Sequence, residues 1–351
     1  MTDMVAVVGA GVCGLSVALA LTEAGVTVTL YDPSGFPGQG ASASAAGMLT
    51  PSGEAGCLPL SFVQAGQIAI DHWKARLAQL CPDALVQRGS LLVASPEDET
   101  RLDSFQQAFL PPGSSAVRLS RADLSALEPD LAVHWQSGLF FPNDAHLDVA
   151  LALTGLVTRL RDLGCRLILE AVDPADMPEP YAQVIDCRGW GAKTLDGLMA
   201  MKGESLTLAC PDGPTLSRPT RFYADATLFY AVPGRGHDLT LGATVRAEPD
   251  PDALLCRCDG LATLVDAAAI FDSRLERAHV TTLNAGVRPA YEDRLPRIVR
   301  SDAILNANGL YRHGFLLSPL IAETIRADIL GVTPPDYARL FTTRQNQVAG
   351  L

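Results

Sequence analysis

The stretch VAVVGAGVCGLSVALALTEAGVTVTLYD, residues 5–32, constrains this chain most. A short apolar run at 5–8 leads into Gly9, Gly11 and Gly14 in the spacing G-x-G-x-x-G. An alanine-rich apolar segment follows at 15–24, then Gly25, and a second alternating run at 26–31 ends in Asp32. Strand, tight turn, helix, strand and acid within about thirty residues make a dinucleotide-binding β-α-β unit. Gly9 permits the sharp turn out of the strand, Gly11 leaves room for a pyrophosphate at the helix N-terminus, and Gly14 lets the helix lie close to the sheet. Asp32 can accept hydrogen bonds from both hydroxyls of an adenosine ribose and would repel a 2′-phosphate. The unit does not distinguish FAD from NAD.

The chain has 351 residues, of which 48% are hydrophobic. That is enough for a sizeable core in two domains or one large divided one. No apolar run reaches the ~18 residues of a membrane span. The first strand begins within a few residues of Met1, so no secretory leader is expected and a cytoplasmic location follows. A net charge of −12 disfavours a general nucleic-acid surface. Eight scattered cysteines include Cys256 and Cys258, with no matching pair at zinc spacing, so no metal is expected.

After a turn-rich loop at 33–40, residues 41–51 (ASASAAGMLTP) carry so little side-chain bulk that they suggest backbone held against something large or flat. Helices are expected at 61–80, 96–109, 121–127, 147–163 and 261–271, with a turn between 96–109 and 121–127 at Pro111-Pro112-Gly113. Strands are expected at 90–94, 138–141, 166–170, 183–187, 281–289 and 305–307, and β-rich runs at 204–209, 222–232 and 238–243. A glycine-containing turn at 311–319 precedes a last helix at 320–330. The alternation predicts an α/β chain: a discontinuous Rossmann-like domain and a second α+β domain on a mainly antiparallel sheet. Residues 1–85, 145–205 and 285–351 are assigned to the first, 86–144 and 206–284 to the second. The default site is a pocket at their junction.

Five segments in order are similar to the D-amino-acid oxidase (DAO) family of FAD-dependent flavoproteins, nearest its glycine oxidase branch. They are the fingerprint, 41–51, YAVPGRGHDLTLGAT (230–244), AGVRPAYEDRLPRI (285–298) and NGLYRHGFLLSP (308–319). The resemblance implies an FAD-binding domain and a substrate domain. It also implies oxidation of glycine or a similar small amine to its imine, with oxygen as acceptor, hydrogen peroxide as product and a place in thiamine thiazole biosynthesis. On the cofactor side it implies Gly9, Gly11, Val12, Cys13 and Gly14 at the pyrophosphate and Asp32 at the ribose. Ala41, Ser42, Ala46, Gly47 and Met48 would run past the cofactor to its ring, and Val172 would touch the adenine by its backbone. Gly189 stands in Cys187-Arg188-Gly189, where the family has A-T-G. Leu310, Tyr311, His313, Gly314, Phe315 and Leu316 would lie beside the pyrimidine end. No cysteine occurs in 311–319, so FAD would be non-covalent.

A substrate carboxylate buried beside a flavin needs a permanent cation with planar donors, which arginine supplies. Arg288 and Arg312 match the family positions that hold this carboxylate, and Tyr230 matches a tyrosine that reaches the same group. No general acid or base is assigned, since hydride transfer from an uncharged amine mainly requires positioning; His72 and His313 receive no catalytic role. The candidate assemblies are a homo-oligomer and a thiazole-synthesis partner. The alternatives are a D-amino-acid dehydrogenase or oxidase for larger substrates, a nicotinamide-dependent dehydrogenase, and a non-catalytic dinucleotide-binding module.

Overall fold

In the computed structural model, residues 4–54, 58–109, 115–177, 181–224, 227–247, 254–301 and 303–342 are described. The turn expected at 111–113 lies outside them. Strand β1 (Met4–Val8) is buried along its last four residues because parallel neighbours flank it on both sides. Gly9 follows at φ +104°, where a Cβ would stand 2.5 Å from the Cys187 carbonyl oxygen. Helix α1 (Val12–Glu23) starts inside the fingerprint, and a Cβ on Gly14 would lie 1.8 Å from the Gly9 carbonyl oxygen. Glycine is therefore demanded twice, for the turn and for the close approach of helix to strand.

The chain continues through β2 (Thr27–Tyr31), β3 (Met48–Leu49), α2 (Leu60–Leu80), β4 (Leu85–Val86), β5 (Ser90–Ala94), α3 (Glu99–Phe109), β6 (Val117–Leu119), α4 (Arg121–Leu127), β7 (Ser137–Phe141) and β8 (Ala145–Leu147). Then come α5 (Val149–Asp162), β9 (Arg166–Ile168), β10 (Tyr181–Asp186), β11 (Met199–Ala209), β12 (Thr220–Ala224), β13 (Thr227–Pro233), β14 (Asp238–Gly242) and β15 (Arg246–Ala247). The last elements are α6 (Cys258–Phe271), β16 (His279–Ala290), β17 (Arg297–Ser301), β18 (Ile304–Asn308) and α7 (Gly314–Leu330).

Among the described residues the strands form three sheets. Six follow the order β17-β18-β10-β1-β2-β9, parallel except for β17 against β18. A nine-stranded, mainly antiparallel sheet runs β15-β11-β14-β13-β12-β5-β7-β6 with β16 also on β11; β5 joins β12 in parallel. Strands β3, β8 and β4 make a small third sheet. The boundaries sketched at 205 and 285 fall inside β11 and β16, which both pass whole into the nine-stranded sheet. One core packs α1, α2, α5 and α7 on the parallel sheet; another gathers Trp135, Phe222, Phe229 and Phe271 on the antiparallel one.

The β-rich run at 222–232 holds two paired strands, β12 and β13, with Phe222 opposite Phe229. One expectation needs correction: the last helix begins at Gly314 rather than after Pro319. A proline inside a helix leaves the carbonyl four residues earlier without its donor. Here that carbonyl belongs to Phe315, and Trp73 of α2 donates to it from Nε1 at 2.6 Å. The orphaned acceptor is satisfied across the core, so the helix continues through Pro319.

Candidate active site

A cavity of about 650 Å³ lies between the C-terminal ends of the parallel strands and one face of the antiparallel sheet. Val8 and Gly9, Asp32, Cys187 and Ala307 bring the ends of β1, β2, β10 and β18 to its wall. Open α/β sheets bind ligands at this edge.

Gly11 is the N-cap of α1 and supplies no side-chain cap; no acidic residue occupies the first turn. Ser42 Oγ accepts from Val12 N at 3.0 Å, which ties the small-residue segment to the helix start. A Cβ on Gly11 would meet nothing closer than Ser42 Oγ at 3.2 Å, so the space beside Gly11 is open to a ligand. Val12 and Cys13 face the cavity, whereas Gly14 is absent from its wall and serves helix packing. Cys13 Sγ lies 3.9 Å from Cys187 Sγ, and this contact together with burial pushes the Cys187 thiol well up.

Asp32 is more occupied than its sequence context implied. Its Oδ2 accepts from Ala10 N at 2.8 Å, and its Oδ1 accepts from Ser34 N at 2.8 Å and Ser34 Oγ at 2.6 Å. A carboxylate oxygen accepts about two hydrogen bonds. Oδ2 therefore has room for one hydroxyl, and Ser34 Oγ stands next to Oδ1 to meet a second. Ala41, Ala46, Gly47 and Met48 run along the wall, and Val172 and Gly189 line it at the end shared with Asp32 and Arg188. The Arg188 guanidinium is folded onto Asp186, with Nη2 to Oδ2 at 2.9 Å.

Leu310, Tyr311, His313, Gly314, Phe315 and Leu316 close the cavity from the side of α7. Tyr311 is left-handed at φ +49°, a strained conformation for a large side chain, and its N–H donates to the Pro289 carbonyl at 2.8 Å. This kink delivers the start of α7 to the cavity. That end has no side-chain cap and no acid in its first turn, so a second positive helix end faces the space. His313 is 4% exposed, with its ring 4.7 Å from that of Phe62 and 6.2 Å from that of Tyr311. Burial pushes its pKa down, Glu54 opposes the shift, and Arg312 and Arg294 reinforce it. His72 lies elsewhere, packed edge-on to Tyr337.

The antiparallel sheet supplies the other end. Tyr230 and Ser205 stand opposite Gly242 on its two neighbouring strands, so all three share one face. Arg288 stands opposite Met201 and reaches over Gly203, where a Cβ would come within 2.1 Å of Nη1. Its Nη1 donates to the Thr244 carbonyl at 3.4 Å. Burial lowers the pKa of Arg288, Tyr230 opposes that, and Arg312 reinforces it. Burial raises the Tyr230 phenol, against the pull of Arg288 and Arg312. The three groups thus lie within one another's fields. Arg312 is exposed at the mouth, its guanidinium carbon 5.3 Å from the centre of the Tyr311 ring.

The sequence reading missed Arg221, Gly53 and Glu54, which also line the cavity. Its β-rich run was drawn from Phe222, one residue past Arg221. A charged residue alternating with Thr220 and Phe222 in a strand was the available signal. Asp144 lies close behind: fully buried, it accepts from Ser90 Oγ at 2.7 Å and Ser52 Oγ at 2.9 Å. Burial raises it to about 6, against the pull of Arg221.

Residues 4–327 match the DAO family model, described as FAD dependent oxidoreductase. Over 323 residues the chain is 38% identical to a provisionally named thiamine biosynthesis oxidoreductase, ThiO, of Rhizobium etli, covering 92% of this chain and 95% of that protein. It is 26% identical over 352 residues to the glycine oxidase of Bacillus licheniformis, covering 93% and 92%. The crystal structure of glycine oxidase from Geobacillus kaustophilus matches with a TM-score of 0.82 at 24% identity, over 99% of this chain and 100% of that one, a likeness of fold. With the glycine fingerprint at one end of the cavity and the starts of α1 and α7 along it, the chain belongs to the DAO family of FAD-dependent oxidoreductases.

Proposed function

We propose that this protein oxidises glycine, or an amino acid of similar size, to the imine, with oxygen as final acceptor and hydrogen peroxide as product. The observation that carries this reading is a cavity with Gly9, Gly11 and Asp32 at one end and Arg288, Tyr230 and Arg312 at the other. FAD fits the donor set: the open space at Gly11, the first turn of α1, the Oδ2 of Asp32 and the start of α7 suit a pyrophosphate, a ribose and an electron-rich ring. Bound FAD supplies the two-electron acceptor. Non-covalent attachment agrees with the absence of cysteine at 311–319.

The protein's own part is to bind and orient. Apart from one long bond to the Thr244 carbonyl, the Arg288 fork is free to take an α-carboxylate in bidentate form. Tyr230, kept protonated by burial, can donate its hydroxyl proton to the same group. Arg312 adds charge from the mouth. Neutral His313, wedged between rings, packs the wall rather than accepting the substrate's proton. We extend this reading to a cytoplasmic enzyme that hands its imine to a thiazole-forming partner; the thiamine biosynthesis name of the Rhizobium etli relative supports the pathway.

A peroxide assay of the purified protein against glycine, sarcosine and a panel of D-amino acids tests the reading. Glycine and sarcosine are expected to give peroxide. Turnover of large D-amino acids with none of glycine would overturn the choice of substrate, and a flavin-free active protein would overturn the chemistry.

A further inference from the structure

One cation in the cavity is left over. Arg221 is 5% exposed, yet its Nε and Nη2 are buried without a hydrogen-bond partner. Among the described residues its side chain makes no hydrogen bond or ion pair. The guanidinium rests on Gly53, where a Cβ would lie 1.3 Å from Nη1, and its carbon is 5.5 Å from the centre of the Phe141 ring. Asp144 feels its charge but spends its oxygens on Ser52 and Ser90. A guanidinium carries five N–H donors, and a buried cation without partners is costly to keep. Such groups call for a particular explanation, and this one lines a cavity.

Its position is separate from the Arg288 cluster. Arg221 stands opposite Tyr230 in the β12–β13 pair, on the same sheet face. The strand order β16-β11-β14-β13-β12 puts it four strands from β16, about 19 Å across the sheet, and in register with Asn284, so Arg288 lies a further four residues along β16. Tyr230 lies between them. Its hydroxyl feels Arg288 and Arg312, whereas the charge of Arg221 acts on Asp144.

We propose that Arg221 is a second anion-binding position of the substrate pocket, so that beside glycine the site accepts amines carrying two carboxylates and prefers each to its monocarboxylate counterpart. One carboxylate sits on Arg288 and Tyr230, the other on Arg221 over Gly53. This rests on the reading in which Arg288 and Tyr230 hold the α-carboxylate. The second carboxylate can come from an N-substituent or from the side chain.

The test uses the FAD-loaded full chain. Binding is read from the shift of the flavin absorption band and from the melting temperature, with two ethers that cannot be oxidised as amines: oxydiacetate, a dianion, and methoxyacetate, its monoanionic counterpart. Turnover is read as the ratio of kcat/KM for iminodiacetate over sarcosine and for D-aspartate over D-alanine; the two pairs separate the two sources of the second carboxylate. Oxydiacetate is expected to bind at least about tenfold tighter than methoxyacetate, and one turnover pair to favour its dicarboxylate by a similar factor. Both preferences should collapse in Arg221→Gln and return in part in Arg221→Lys. Equal binding of the two ethers to the wild-type protein, or a preference that survives Arg221→Gln, overturns the proposal. Turnover of glycine and sarcosine with no dicarboxylate preference removes this inference alone. No amine oxidation, with the ether preference intact, removes the oxidase reading and keeps the anion site.

Discussion

At one end of the cavity the wall comes from glycines and small residues within 8–13 and 40–48; at the other it includes the long polar side chains of Arg221, Tyr230, Arg288 and Arg312. The first end is built largely by one contiguous β-α-β unit. Its specificity lies in what is missing: a Cβ at Gly11 and an acid in the first turn of α1. The second end is built by the register of β11, β12, β13, β14 and β16, which sets Tyr230, Arg221 and Arg288 on a common face. Backbone binding suits a phosphate-bearing cofactor, which needs N–H groups and little discrimination. Side-chain binding suits a small anionic substrate, for which discrimination is the task.

Substitutions at the two ends should therefore fail differently, and the largest effect belongs to the first. Gly14→Val places side-chain atoms against the Gly9 carbonyl and should cost about 3 kcal/mol of stability or more, seen as loss of folded protein. Gly11→Val meets only Ser42 Oγ within the protein, so it should give a folded but flavin-free product, with normal circular dichroism and no visible absorption. Flavin retained in Gly11→Val would break the distinction drawn between the two glycines.

Next is Arg288→Ala. It should keep its flavin and lose about a hundredfold or more in kcat/KM for glycine in steady-state peroxide assays. Loss of flavin in this variant would mean that the two ends are not independent.

A smaller effect is expected where the two regions are braced. Trp73→Phe leaves the Phe315 carbonyl without a donor, because Pro319 has no N–H to offer. A cost of about 1–3 kcal/mol in denaturant unfolding is expected, with the start of α7 loosened.

The smallest net effect concerns two buried groups on opposite pH slopes. Asp144 is raised from 3.8 to about 6, mainly by burial, so its native form binds the proton more readily; its contribution to stability falls as pH rises from about 4 to 6. His146, lowered from 6.5 to about 4 by burial and by Arg88, does the reverse: stability falls as pH drops from about 6.5 to 4. Each slope is worth about 3 kcal/mol, and together they nearly cancel. Asp144→Asn should expose the histidine slope and His146→Gln the opposite one, in unfolding curves taken between pH 4 and 7. Identical pH profiles in both variants would contradict the assignment.

Much of the fold is legible because its signals are local. The fingerprint carries turn, helix and strand within one short span, and β5, at residues 90–94, is an apolar run with clear ends. Arg288 and Arg312 could be singled out because each sits in a distinctive turn-flanked motif. Arg221 could not: a charged residue between Thr220 and Phe222 in a strand is a signal, but nothing in RPTRFYA says that the face it points to lines a cavity. The start of α7 is hidden from the sequence for a related reason. The group that makes Pro319 tolerable inside the helix is a tryptophan 242 residues earlier, from Trp73 to Phe315.

By itself, then, the sequence determined the β-α-β unit, the dinucleotide class of ligand and the alternation of sheet types. These follow from steric rules acting over a few neighbouring residues. Only the tertiary structure decided that Asp32 is already half engaged, that Tyr230 and Arg288 share a face, and that Arg221 lies buried opposite Tyr230 without a hydrogen-bond partner. Those facts depend on strand register and long-range packing, in which residues far apart in the chain fix one another's surroundings.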